Sequence, residues 1–74
     1  MGDKVRPFTS KELEKLLGRY GFELISQKCS HRKWRNSATG RQVIVPFHSG
    51  RNLPIGTLRN ILINAEIPEV EWKG

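Results

Sequence analysis

The chain has 74 residues, 36% of them hydrophobic and 27% charged, with 13 Lys and Arg against 7 Asp and Glu and a net charge of +6. This length predicts one domain with a thin core, because a chain this short buries only about 60% of its unfolded surface. No apolar run approaches the ~20 residues of a membrane span, and the single cysteine, Cys29, cannot form an internal disulfide. We therefore expect a reduced protein of the cytoplasm with no membrane partner.

The positive charge is concentrated in the middle of the chain. No Asp or Glu occurs between Glu23 and Glu66, and this span contains both histidines and seven cations. The cations are Lys28, Arg32, Lys33, Arg35, Arg41, Arg51 and Arg59. A field of one sign on a small domain predicts a polyanionic partner, most often a nucleic acid. A histidine inside that field can transfer protons near neutral pH.

The first predicted element is a helix that follows a loose arm at residues 1–8. Thr9 and Glu12 have the spacing of a capping box, and an apolar stripe follows at helical spacing. The stripe consists of Leu13, Leu16, Leu17 and Tyr20. Gly21 suits the left-handed position just past a helix end, so we expect the helix over residues 10–20.

Three strands are predicted next, over residues 22–28, 30–36 and 41–46. Their short connections imply an antiparallel meander. A polar loop with His48 follows, then a second helix that Pro54 can begin and Pro68 ends. Residues 69–74 are expected to form a tail. This order predicts a single α+β domain over residues 1–74, with a three-stranded antiparallel sheet that has both helices on one face and leaves the other face open.

Alternation along the strands assigns the two faces of this sheet. Trp34 is the largest apolar residue of the second strand and should point at the helices. Val43 and Val45 should join it in the core. The open face then carries His31, Lys33, Arg35 and Ile44. Arg32 shares a face with Trp34, and its charged end is expected to reach the edge of the sheet.

His31 is the strongest candidate for chemistry, although the residues leave three interpretations open. It could be a solvated strand residue, a phosphate contact without chemistry, or a general acid or base. Lys33 and Arg35 are interpreted as phosphate contacts, because aligned exposed cations have few other uses. A loop position favours a structural role or a second contact for His48. A metal site from Cys29 and the two histidines lacks a fourth ligand, so no cofactor is expected.

Four short segments occur in order with regular gaps. They are Gly21-Phe22-Glu23-Leu24, Gln27-Lys28-x-Ser30-His31, Gly40-Arg41-x-Val43-x-Val45-Pro46-x-His48 and Gly56-Thr57-Leu58-Arg59-x-Ile61-Leu62. Together they resemble the HicA family of bacterial toxins, also called YcfA-like mRNA interferases, over about residues 10–67.

The resemblance implies a fold similar to the double-stranded-RNA-binding domain, ribonuclease activity on messenger RNA, and inhibition by a HicB antitoxin. His31 matches the catalytic histidine of the family's Gly-Ser-His motif. The chain also departs from the family pattern: Cys29 replaces the motif glycine, Ser26 stands where many relatives carry a cation, and Arg32 replaces a frequent second histidine. The glycine permits a close backbone approach, so Cys29 could weaken activity.

Three functions are therefore compared. The first is a metal-independent ribonuclease in which His31 is the general acid or base and other cations and His48 bind RNA. The RNA or phosphate contacts are Lys28, Lys33, Arg35, Arg41, His48, Arg51 and Arg59. The second is a non-catalytic RNA-binding module of the same fold, for single- or double-stranded RNA. The third is a protein-interaction domain. For a toxin, we expect an antitoxin to cover the open face and present acids to Lys33 and Arg35.

Overall fold

The computed structural model describes residues 4–73 and contains a three-stranded antiparallel sheet with its helices on one face. The elements are α1 (Ser10–Arg19), β1 (Phe22–Lys28), β2 (His31–Asn36), β3 (Gln42–Pro46), α2 (Ile55–Asn64) and a 3-10 turn at Glu69–Glu71. The strands lie in the order β1-β2-β3. The predicted α+β class and α-β-β-β-α order are therefore confirmed. No helix within residues 4–73 is long and apolar enough to cross a membrane.

Helix α1 begins and ends with the signals expected from the sequence. The Glu12 N–H donates to Thr9 Oγ1 at 3.1 Å, and the Thr9 N–H donates to the Glu12 carboxylate at 2.8 Å. This reciprocal pair satisfies two of the backbone donors that a helix start leaves unpaired. The helix ends at Arg19, one residue earlier than predicted, with Tyr20 as its cap. Gly21 follows with a φ of +91°, which a residue with a side chain rarely adopts.

Strand β1 contains a bulge that reverses which face its later residues occupy. Leu24 pairs with Trp34, whereas Ser26 pairs with Lys33, so one residue is inserted between them. Paired residues of an antiparallel sheet share a face, which places Leu24 on the helix side and Ser26 on the open side. Strict alternation from Leu24 would have left Lys28 on the helix side. The bulge brings Lys28 to the open face, opposite the first residue of β2.

The core lies between the sheet and the helices. Val43 and Val45 are buried, and Trp34 packs against the same cluster. The Trp34 indole Nε1–H donates to the carboxylate of Glu14 in α1 at 2.9 Å. Ile44 lies on the other face, with 50% of its surface exposed. The predicted alternation in β2 and β3 is therefore correct.

The Arg32 side chain does not reach the edge of the sheet as predicted. Its Nε lies 2.8 Å from the Glu14 carboxylate, an ion pair in which the N–H is not aligned for a hydrogen bond. Its guanidinium lies over the ring of Phe47, 4.7 Å from the centroid. The prediction was wrong because the guanidinium interacts with a buried carboxylate and an aromatic ring on the helix side, and these contacts replace its contact with solvent.

The terminal segments pack on the core, which corrects the predicted loose arm and tail within the described residues. Val5, Phe8 and Trp72 are buried. The Arg6 N–H donates to the carbonyl of Trp72 at 3.0 Å, and the Arg6 guanidinium donates to the carbonyl of Glu71 at 2.9 Å. These isolated apolar residues form no periodic pattern from which their burial could be predicted. They nevertheless bury apolar surface that a small domain needs for its stability. Residues 1–3 and 74 of the predicted arm and tail lie outside the described residues.

Candidate nucleic-acid interface

The open face of the sheet carries a shallow depression beside the turn between β1 and β2. Its volume is about 390 Å³. It is lined by Ser26, Lys28, Cys29, His31, Lys33 and Ile44. Three candidate site residues from two strands, Lys28, His31 and Lys33, therefore meet in one concave surface.

His31 is the first residue of β2, and its backbone is held from both sides. It lies opposite Lys28 of β1 and Pro46 of β3. Next to it, the Phe47 N–H donates to the carbonyl of Ser30 at 2.7 Å. The imidazole itself is exposed. A rigid backbone with an exposed side chain is the arrangement that a proton-transferring group on a scaffold needs.

Two lysines supply the charge of the depression. Lys28 lies directly across from His31, which for paired strand residues means Cβ atoms about 4.5–5.5 Å apart. Lys33 is two residues along β2 on the same face, about 7 Å from His31. Within residues 4–73, neither lysine forms an ion pair with a carboxylate. Their charges are available to an anionic ligand.

The fourth candidate of this face, Arg35, has a different environment. Its neighbours across the sheet are Glu23 in β1 and Gln42 in β3. Among the described residues Glu23 forms no close ion pair, but its carboxylate lies directly across the strands and lowers the positive potential at Arg35. The open face is therefore cationic near the turn and closer to neutral at its far end.

Two further candidates, His48 and Arg51, line a second depression at the start of α2. Its volume is about 240 Å³, and Ser10 and Thr57 also line it. The buried Ser10 hydroxyl donates to the Pro46 carbonyl at 2.8 Å and accepts the His48 N–H at 3.3 Å. Ser10 thus ties the loop after β3 to the first turn of α1, and His48 does not join His31.

The remaining two candidates lie outside both depressions. The Arg41 guanidinium lies 2.8 Å from the Glu66 carboxylate and donates to the Asn64 carbonyl at 3.3 Å, so it braces the end of α2. Arg59 is exposed on α2, in the helix layer. Within residues 4–73, no three His, Cys, Asp or Glu side chains are grouped to hold a metal ion.

A comparison with family sequence profiles matches residues 10–67 to the HicA toxin of bacterial toxin–antitoxin systems. The chain belongs to the HicA toxin family. It is therefore a toxin of a toxin–antitoxin system, and the match includes both helices and all three strands. A search of curated proteins gave no match.

The turn that precedes His31 contains a backbone conformation that glycine adopts more easily than other residues. Cys29, at the glycine position, has a φ of +56°, whereas Ser30 has a negative φ. A left-handed backbone costs an L-residue about 1–2 kcal/mol, and glycine avoids that cost. The conformation of the backbone is therefore a reason for glycine at this position, in addition to the close backbone approach expected from the sequence.

One ionic contact beneath this candidate site was not predicted from the sequence. Glu14 is buried and contacts both Trp34 and Arg32, whose chain neighbours include His31 and Lys33. One signal was present, since Glu14 borders the apolar stripe of α1 and does not lie at the centre of its polar face. The β1 bulge had no such signal.

Proposed function

We propose that this toxin is a metal-independent endoribonuclease that cleaves messenger RNA in the cytoplasm, with His31 as its general acid or base. The observation that carries the proposal is the exposed His31 in a depression between two lysines that form no ion pair in the described part of the chain. RNA carries its own nucleophile, the 2′-OH, so the protein needs to move protons and offset charge. General acid or base catalysis is worth about 10²–10⁴-fold.

The proposed reaction transfers the phosphoryl group within the RNA strand. The 2′-oxygen forms a bond to phosphorus while the bond from phosphorus to the 5′-oxygen breaks. The His31 imidazole accepts the proton of the 2′-OH, and solvent water protonates the departing 5′-oxygen. Cations beside the phosphate offset the negative charge that develops on its oxygens.

The outer cations are proposed to position the strand. Arg35 continues the open face beyond the depression, and His48 and Arg51 can contact a phosphate from the second depression. Phosphate contacts of this kind orient RNA without reading its sequence, and their number sets the salt dependence of binding. Arg59 has an exposed charge in the helix layer. Arg41 contributes least to RNA binding in this proposal, because its guanidinium already forms an ion pair with Glu66.

The test is RNA cleavage in EDTA by wild type and by His31→Ala. We expect wild type to cleave and His31→Ala to lose activity by about 10²-fold or more with an unchanged circular-dichroism spectrum. His48→Ala is the matched histidine control and should change KM with little effect on kcat, because His48 lies outside the depression. Intact RNA with wild type, or equal cleavage by His31→Ala, would rule the proposal out.

One observation favours a second candidate, a non-catalytic RNA-binding module. Among the residues that line the depression, His31 is the only histidine, so no second imidazole can complete an acid–base pair. A binding module would retain RNA at low salt without cleaving it. This function would be identified by RNA binding without cleavage, together with a weaker dependence of RNA affinity on salt concentration after Lys33→Gln.

The proposed inhibitor is a HicB-type antitoxin that covers the open face. Ile44 gives that face exposed apolar area, and Lys33 and Arg35 give it charges for acidic side chains. We expect Lys33→Glu to weaken binding of a co-expressed HicB-type antitoxin, whereas Arg59→Glu in the helix layer should leave it unchanged. The reverse pattern would place the antitoxin on the helix layer.

A further inference from the structure

The cations of the open face are not equivalent, because they differ in their distance from His31 and in the acids around them. Lys28 lies directly opposite His31, whereas Arg35 lies four residues from His31 along β2 and opposite Glu23. Glu23 is five residues from Lys28 along β1, about 16 Å at strand spacing. The cation nearest to His31 is thus also far from the acid of this face.

We propose that Lys28 is a catalytic residue that contacts the scissile phosphate, while Arg35 only helps to hold the RNA strand. This assignment rests on the proposed ribonuclease function. It differs from the interpretation of the sequence, in which alternation within β2 alone paired His31 with Lys33 and Arg35. The bulge in β1 is the feature that changes the assignment, because it turns Lys28 to the open face.

The position of Lys28 suits stabilisation of charge in the transition state. When the 2′-OH of a ribose hydrogen-bonds to the His31 imidazole, the phosphate attached to that ribose at its 3′-oxygen lies within reach of a long side chain on the neighbouring strand. As the bond from the 2′-oxygen forms and the bond to the 5′-oxygen breaks, negative charge grows on the non-bridging oxygens. The Lys28 ammonium binds that charge more strongly in the transition state than in the ground state.

Lys33 does not replace Lys28 in this role. It lies across from the uncharged Ser26, and it is farther from His31 than Lys28 is. The absence of a cation at Ser26 leaves Lys28 as the β1 charge of the depression. Loss of Lys28 should therefore affect the chemical step, and loss of Arg35 should affect binding.

The experiment compares steady-state cleavage of a short RNA in EDTA by wild type and four variants. For Lys28→Gln we expect kcat to fall about 10²-fold with little change in KM. Lys28→Arg should recover at least about a tenth of the wild-type kcat, because it keeps the charge. Arg35→Gln should raise KM and leave kcat within about threefold. Lys11→Gln, on the exposed surface of α1, is the matched control and should behave as wild type.

The outcomes separate this inference from the proposed function. If wild type does not cleave RNA, the ribonuclease proposal and this inference are both wrong. If wild type cleaves, His31→Ala does not, and Lys28→Gln retains wild-type kcat, only the role of Lys28 is wrong. Equal losses of kcat for Lys28→Arg and Lys28→Gln, with unchanged melting temperatures, would also overturn a role based on charge.

Discussion

The substitution Cys29→Gly tests the account of the turn that precedes His31. Cys29 has a φ of +56° and is the first of two residues that connect β1 to β2. A left-handed conformation costs an L-residue about 1–2 kcal/mol. Glycine removes that cost but loses more backbone entropy on folding, about 0.5–1 kcal/mol. The net expectation is a gain in unfolding free energy of about 0.5–1 kcal/mol.

The gain can be measured by thermal and urea denaturation followed by circular dichroism. For a domain of this size, 1 kcal/mol shifts the melting temperature by about 4–8 °C, so we expect an increase of about 2–8 °C. The slope of the unfolding free energy against urea concentration should not change, because the surface exposed on unfolding is the same. RNA cleavage should be at least as fast as in wild type, since the His31 backbone keeps its position.

Two substitutions in the same turn serve as controls. Ser30→Gly places glycine where φ is negative, so it should lower stability by about 0.5–1 kcal/mol. Cys29→Ala removes the thiol but keeps the left-handed strain, so its stability should stay close to that of wild type. A loss of stability in Cys29→Gly equal to that in Ser30→Gly would refute the reasoning.

Three further predictions concern the contacts that hold the fold around the site. Glu14→Gln keeps an acceptor for the Trp34 indole but removes the charge beside Arg32, and should lower the unfolding free energy by about 1–3 kcal/mol in urea titrations. The hydrogen bond from the Tyr20 hydroxyl to Glu71 raises the pKa of Tyr20 above its ordinary value of 10.0. This hydrogen bond therefore contributes its full stabilisation of the fold below pH 10.0, and the stabilisation is lost at higher pH. Between neutral and strongly alkaline pH, the melting temperature of Tyr20→Phe should fall less than that of wild type. Trp72→Ala should cost about 3–5 kcal/mol, because this side chain is only 2% exposed; a change below 1 kcal/mol would mean that the final segment contributes little to the core.

Local patterns in the sequence were sufficient for the order of the elements. The capping box at Thr9, the apolar stripe of α1 and the alternation around Trp34 each depend on residues close in the chain, and the structure agrees with all three. The same alternation correctly placed His31 and Lys33 on the open face. These features could be predicted because helix and strand periods are properties of the local backbone.

Only the tertiary structure decided which charges act together. The insertion in β1 turns Lys28 toward His31, and strand pairing sets Glu23 across from Arg35. Glu66, close to Arg41 in space but distant in sequence, occupies that guanidinium. Each of these relations depends on register or on contacts between distant segments, which periodicity does not encode.

The sequence by itself therefore determined a basic α+β domain of the HicA family with a histidine on the open face of its sheet. The tertiary structure determined that this histidine has one lysine directly opposite, that a second histidine, His48, lies in another depression, and that both described terminal segments belong to the core. The physical reason is the same in each case. Local backbone preferences select the elements, but packing and strand register select which side chains meet.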